Sequence, residues 1–308
     1  MGTGGGLTGL VISWRQWAIS LRGRDWRTTS SAAAFTGGRN EAMPIELRAS
    51  SLPLLLKCPG ALSLPSETAP ASEENLRATE WGTMVHRWKE TGEINAPSKR
   101  AGRDFERALA ESGLGASRLD LWPAGGTHEC TVAVRVDGIR DWSVGKGAEC
   151  LLGEPHWCTG HADFWWRIFD GELWVDDLKT GRFYPNPAFG DRHDPNLPVG
   201  ANRFPQNPDS YQTQLYALAV AEKLGYAGPV HTSITHWPRL PVALRHSPPD
   251  RLWHLTHTNH LRVVYWGQLE TLYQEARTNA RELTYLRPGS HCRFCPARSN
   301  CMSSQENF

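Results

Sequence analysis

The chain has no apolar run long enough to cross a bilayer, no internal repeat and almost no net charge. Thirty-three Lys and Arg stand against 32 Asp and Glu, a formal balance of +1. That excludes a uniformly basic nucleic-acid coat and leaves room for a local basic groove offset elsewhere. The apolar stretch LTGLVISW near the N-terminus is too short and too poorly flanked for a signal peptide, so a cytoplasmic protein with no membrane association is expected. Against these absences stand seven cysteines. Without a secretory signal, that odd number points to metal or redox chemistry before disulfides.

With 308 residues, one elaborated domain with a loose tail is expected. Residues 1 to 42 are rich in Gly, Ser, Thr and Arg and lack periodicity. They read as a disordered leader, either a transit peptide or an over-called start before Met43. From residue 43 to 308 the pattern is globular. ASSLPLLLKCPGA reads as a short helix capped by Ser50 or Ser51, with Pro53 in its first turn and a stop at Pro59-Gly60. A longer helix runs from a Ser72 cap to Gly92, with Leu76, Val85 and Trp88 on its apolar face, and a third helix lies near residues 99 to 111. CTVAVRV and KGAECLL read as strands, followed by a hairpin, GHADFWWRIF and ELWVDDLKTG, turning at Asp170-Gly171. Beyond a loop from 184 to 208 come a helix (PDSYQTQLYALAVAEKLG), a strand (VHTSITHW) and a long helix from about 250 to 283. This order predicts an α/β fold with a central mixed sheet flanked by helices.

Strand alternation turns Asp177 and Lys179 to one face and Leu178 to the other. Asp163, on the partner strand, is a plausible neighbour of Asp177. Two carboxylates brought together need a cation or a proton between them, and two oxygen donors with an imidazole suit Mg²⁺ or Mn²⁺. Such an ion with a nearby lysine is what phosphodiester cleavage requires. A solvated strand end running into a glycine turn is the plainer reading of DDLKTG alone.

In order, WGTMVH, GHADFWW, WVDDLKTGRFY, YQTQLYALAV and a terminal cysteine group resemble the RecB-like branch of the PD-(D/E)XK nuclease superfamily. The similarity is strongest to its iron–sulfur members, such as CRISPR-associated exonucleases, and covers residues 50 to 301. The resemblance implies a restriction-endonuclease-like core. It makes His86, Asp163, Asp177 and the main-chain carbonyl of Leu178 the metal ligands, with Lys179 beside them. Gln212 and Tyr216 match the Q-x-x-x-Y helix bordering the site, and their spacing puts both on one face, where they could meet a threaded strand. Asp176 is the rival of Asp177 but turns to the other face. Glu149 is a possible supporting acid. Most of the 14 tryptophans are expected in the core.

Cys292, Cys295 and Cys301 have the spacing C-x₂-C-x₅-C, which lets turns aim three thiolates at one point. Cys130, Cys150 and Cys158 fall in or beside predicted strands and read as packing residues. Cys58, at a helix end, has the exposed turn a fourth ligand needs, and the resemblance also puts the upstream cysteine there. One lone cysteine and a clustered three resemble a [4Fe–4S] ligand set, with zinc the rival. Such a cluster would clamp the two ends of the fold. The expected function is a metal-dependent exonuclease acting on single-stranded DNA or DNA ends in recombination, repair or phage DNA processing. The rivals are a non-catalytic DNA-binding scaffold serving a helicase or recombinase, and a redox protein.

Overall fold

The structure is a computed structural model and describes residues 45–64, 73–112, 121–168, 171–181, 209–238, 250–282, 286–289, 291–292 and 295–301. The chain divides into units Met1–Glu41 and Ala42–Phe308, and every described residue lies in the second. The expected leader (residues 1 to 42), the Ser72 cap, Asp170 and the loop at 184 to 208 lie outside the described residues.

Seven described strands form one mixed sheet. They are β1 (Leu47–Arg48), β2 (Thr127–Arg135), β3 (Trp142–Val144), β4 (Trp157–Arg167), β5 (Leu173–Gly181), β6 (Pro229–Pro238) and β7 (Asp250–His257). The order across the sheet is β3-β2-β4-β5-β6-β7, with β1 attached to β4. β4 and β5 form the expected antiparallel hairpin, Gly171 supplying the left-handed turn residue at φ 90°. β6 runs parallel to β5 throughout its length, and β7 closes the edge antiparallel.

The helices are α1 (Leu52–Lys57), α2 (Glu73–Thr91), α3 (Lys99–Ser112), α4 (Lys146–Glu149), α5 (Asp209–Leu224) and α6 (Trp266–Glu282). One core joins α1, α5 and α6 to one sheet face through Leu55, Leu218, Tyr265 and Leu269. α5 is buried on nearly every side from Gln212 to Ala221, which explains why ALAVA shows no polar stripe. The second core packs α2 and α3 on the other face. Trp81, Trp88, Phe105, Trp122, Trp174 and Trp237 are all buried there, and Trp266 is buried in the first core, whereas Trp142 is exposed and Trp157, Trp165 and Trp166 are half-buried.

Three expected elements differ. KGAECLL is no strand: Gly145, at φ 81°, turns the chain into the short α4, and only Ala148 of that helix is buried. Residues 250 to 257 are strand rather than helix. Their alternation, with Thr256 buried between exposed Leu255 and His257, has a period of two. The helix starts beyond a helical turn at Thr258–His260 and a π-helical segment at Leu261–Tyr265. Leu76, expected on the apolar face of α2, is exposed, while Val85 and Trp88 are buried as expected. Among the described residues no helix is long and apolar enough to cross a membrane.

Candidate functional site

The β4–β5 ladder runs from Arg167 opposite Leu173 to Phe164 opposite Asp176 and ends there. Further back on the same edge of β4, Cys158 and Thr159 pair with β1 instead. Asp163 therefore stands where the hairpin strands diverge, and its carboxylate accepts the Leu178 N–H at 2.6 Å. That hydrogen bond replaces a ladder bond and locks the Asp163 side chain. The Leu178 side chain is buried in the second core.

Asp177 and Lys179 share a face of β5, as alternation predicts. The Asp177 carboxylate is buried, with Lys179 Nζ 2.8 Å from its Oδ2. Lys179 Nζ also donates to Gln212 Oε1 at 2.8 Å. The Gln212 amide in turn donates to Asp177 Oδ1 at 3.2 Å and to the Tyr216 hydroxyl at 2.6 Å. Tyr216 is 1% exposed and Gln212 7%, so the tyrosine ring offers no face to a threaded base. The pair instead holds Asp177 and Lys179. Tyr216 comes this close because residue 160 is glycine: a Cβ there would lie 2.8 Å from the Tyr216 ring and 2.7 Å from Ala49 Cβ. Burial, with the Asp177 charge adding to it, raises the Tyr216 hydroxyl well above its usual range and keeps it protonated. Asp176 turns to the other face, where it accepts from Trp122 Nε1, Ser233 and Thr235, a fully buried acid satisfied by three donors.

His86 comes from α2. Gly82, one turn earlier on the same helix face, lets α2 approach the end of β5, since a Cβ there would sit 2.7 Å from Thr180 Oγ1. His86 Nδ1 lies 3.2 Å from Glu129 Oε1, and ligand atoms of His86, Glu129 and Asp163 all fall within 4.8 Å of one another. Burial disfavours charge on His86, but the Glu129 hydrogen bond and the Asp163 and Asp177 charges outweigh it and raise its pKa. The His86 hydrogen bond holds Glu129 below its ordinary range. Burial first, and then the Asp177 charge, push Asp163 up to about 8. Two acids, Asp177 buried and Asp163 raised, thus stand beside an imidazole, a set of oxygen and nitrogen donors that could hold a cation.

Glu129 was not among the expected residues; Glu149 was, and it ends the exposed side of α4. Glu129 sits in β2 with φ 47°, a left-handed value that a strand glutamate rarely adopts. The effect of that twist is visible in the packing. Val132 and Val134 of β2 and Cys158 and Ala162 of β4 face the first core, yet Phe164, also even-numbered, faces the second. The alternation slips where Glu129 stands across from Asp163, between the pairs His128–Phe164 and Cys130–Ala162.

The four expected cysteines, Cys58, Cys292, Cys295 and Cys301, line one pocket together with His291 and Arg298. Gly60 packs flush against Asn279 of α6, and Ser63 Oγ donates to the Ala276 carbonyl at 3.2 Å, so the turn after Cys58 is fixed to the helix that delivers the C-terminal segment. Successive tight turns then bond Cys295 N to Cys292 O and Cys301 N to Arg298 O, which aims the thiols inward. Backbone N–H groups of Arg287 and Gly289 donate to the sulfurs of Cys58 and Cys292 at 3.4 and 3.3 Å. The remaining three cysteines lie elsewhere: Cys130 in β2, Cys150 exposed after α4, and Cys158 in the core, where burial drives its thiol pKa far up.

No family model matches the chain, and no curated protein matches it. Among solved structures it is similar to the crystal structure of SSO0001, at 15% identity and a TM-score of 0.33 over 87% of this chain and 89% of that one.

Proposed function

We propose that the chain is a divalent-metal-dependent deoxyribonuclease of the PD-(D/E)XK superfamily, RecB-like branch, acting as an exonuclease on single-stranded DNA or DNA ends. The observation that carries this reading is the gathering of His86, Glu129 and Asp163 ligand atoms within 4.8 Å of one another, with the Asp177–Lys179 pair on the adjacent strand where the hairpin splays. His86, Asp163 and Asp177 would hold Mg²⁺ or Mn²⁺, with the Leu178 carbonyl completing the set. The donors are oxygen and imidazole, and Asp163 stands close enough to Asp177 for the one charge to disfavour the other; both features fit such an ion. Bound there, the ion would polarise a phosphoryl oxygen and acidify water. Lys179, held by Asp177 and Gln212, presents its ammonium to the phosphoryl group and offsets the negative charge that develops as water attacks phosphorus and the P–O bond breaks. Asp163, locked by the Leu178 N–H, keeps its second oxygen for the ion.

The thiol pocket fits a [4Fe–4S] cluster. Four cysteine sulfurs gathered in one pocket, two of them receiving backbone N–H bonds, are a suitable donor set. Zinc is the rival for the same four thiols, and the pattern of one lone cysteine with a clustered three favours the iron–sulfur cluster in this reading. The cluster's role in this reading is to tie the Cys58 turn to the C-terminal segment.

Anaerobically purified protein should degrade end-labelled linear single strands with Mg²⁺ and leave covalently closed single-stranded circles intact. Lys179→Ala should lose that activity. Equal rates on circles and linear strands would leave an endonuclease, and colourless protein with one zinc per chain would overturn the cluster.

A further inference from the structure

We infer that Glu129 is a positioning residue for the metal site: its carboxylate, 3.2 Å from His86 Nδ1, pairs with that nitrogen and leaves Nε2 for the ion. This rests on the function proposed above and adds a residue to it.

The other ligands each have a holder within the protein. Asp163 is held by the Leu178 N–H, and Asp177 by Lys179 and Gln212. His86 is carried on a helix, and an imidazole there can rotate or bind through either nitrogen unless one nitrogen is occupied. Glu129 Oε1 stands 3.2 Å from Nδ1, within reach of a proton there. A histidine ligand whose second N–H is given to a carboxylate is fixed in tautomer and ring orientation and made more basic.

The backbone points the same way. A glutamate at φ 47° is strained, and strain of this kind persists where surrounding structure enforces it. In ordinary extended geometry Glu129 would be one more residue of the β2–β4 ladder. Its left-handed turn instead accompanies the slip in alternation opposite Asp163, and the carboxylate ends beside His86. Trp122, edge-on to the His86 ring at 6.2 Å and bonded to Asp176, supports the imidazole on another side.

The test compares wild type, Glu129→Gln and Glu129→Ala. Mn²⁺ affinity is measured by calorimetry on the cluster-loaded protein, and the His86 tautomer by ¹⁵N shifts of metal-free protein at a pH where the ring is neutral. The glutamine oxygen can still accept from Nδ1–H. Glu129→Gln should therefore keep Mn²⁺ affinity within about fivefold, while Glu129→Ala should lose about 10- to 100-fold. Wild type and Glu129→Gln should show the Nδ1–H tautomer, and Glu129→Ala a mixture. Unchanged affinity and tautomer in Glu129→Ala overturn the inference and leave the nuclease reading standing. A Glu129→Gln loss as deep as that of Glu129→Ala overturns it too, making Glu129 a direct ligand. Wild type that binds no Mn²⁺ overturns the metal site and this inference together.

Discussion

Lys179 and Gln212 meet at 2.8 Å, ammonium to amide oxygen, in a pocket where the same glutamine also donates to Asp177 and Tyr216. One side chain of α5 thus fixes both the carboxylate and the lysine of the D-x-K strand. In the proposed function the contact makes Gln212 a support for Asp177 and Lys179, and it changes what a mutation there should do.

Gln212→Ala removes the hydrogen bonds that align Lys179 and Asp177. Misplacement of a catalytic group by an ångström costs roughly a hundredfold in rate, so kcat should fall by about that factor while KM for single-stranded DNA stays within a few fold. A rise in KM with kcat retained would instead mean that Gln212 touches the strand.

Asp163 gives a pH dependence of defined sign. Its folded pKa of about 8 lies above the ordinary value of 3.8, so the folded, metal-free protein prefers the protonated form. The associated stability is fully present below pH 3.8 and is lost as pH rises toward 8. Asparagine mimics the protonated acid. Thermal unfolding without divalent ions should therefore show Asp163→Asn gaining steadily on wild type between pH 5 and pH 8, and saturating Mg²⁺ should recover wild type alone. A gap that is flat with pH would show that Asp163 is ionised throughout.

Much of this was legible from residue spacing. The helix ends at Gly92 and Gly225, the β4–β5 hairpin, the same-face pair Asp177 and Lys179, and the Q-x-x-x-Y face of α5 all follow from the periods of strand and helix. Cys58 shares a pocket with Cys292, Cys295 and Cys301, as expected from its place at the end of a predicted helix and from the resemblance. Glu129 was not. A period of two assumes an unbroken strand, and the φ 47° turn that swaps the faces of β2 carries no glycine or proline to signal it. β7 was taken for helix because RLWHLTH is short and amphipathic under either period, and pairing with the edge of β6 decides between them. Tyr216 was expected at the strand-binding surface because spacing gives the face of a helix but not how deeply that helix is sunk; α5 is buried all round.

Cys58→Ser removes the thiol proposed to join the turn after α1 to the C-terminal segment through the cluster. Iron content and visible absorption should fall together, and stability should drop by several kcal/mol, on the order expected when a structural metal site is lost. Cys150→Ser, altering an exposed thiol outside the pocket, should change neither. Iron content unaffected by Cys58→Ser would remove it from the ligand set.

The central claim is that Asp163, Asp177 and His86 hold a divalent ion that hydrolyses DNA. It is tested most directly by following cleavage of a fluorescent linear single strand by the anaerobically purified protein as Mg²⁺ is titrated in. Wild type should show saturable, EDTA-reversible cleavage, and Asp177→Ala should show none at any Mg²⁺ concentration while retaining its iron and its thermal stability. Wild-type protein with a full complement of iron that leaves the strand uncut in both Mg²⁺ and Mn²⁺, or Asp177→Ala cutting at the wild-type rate, would contradict the account.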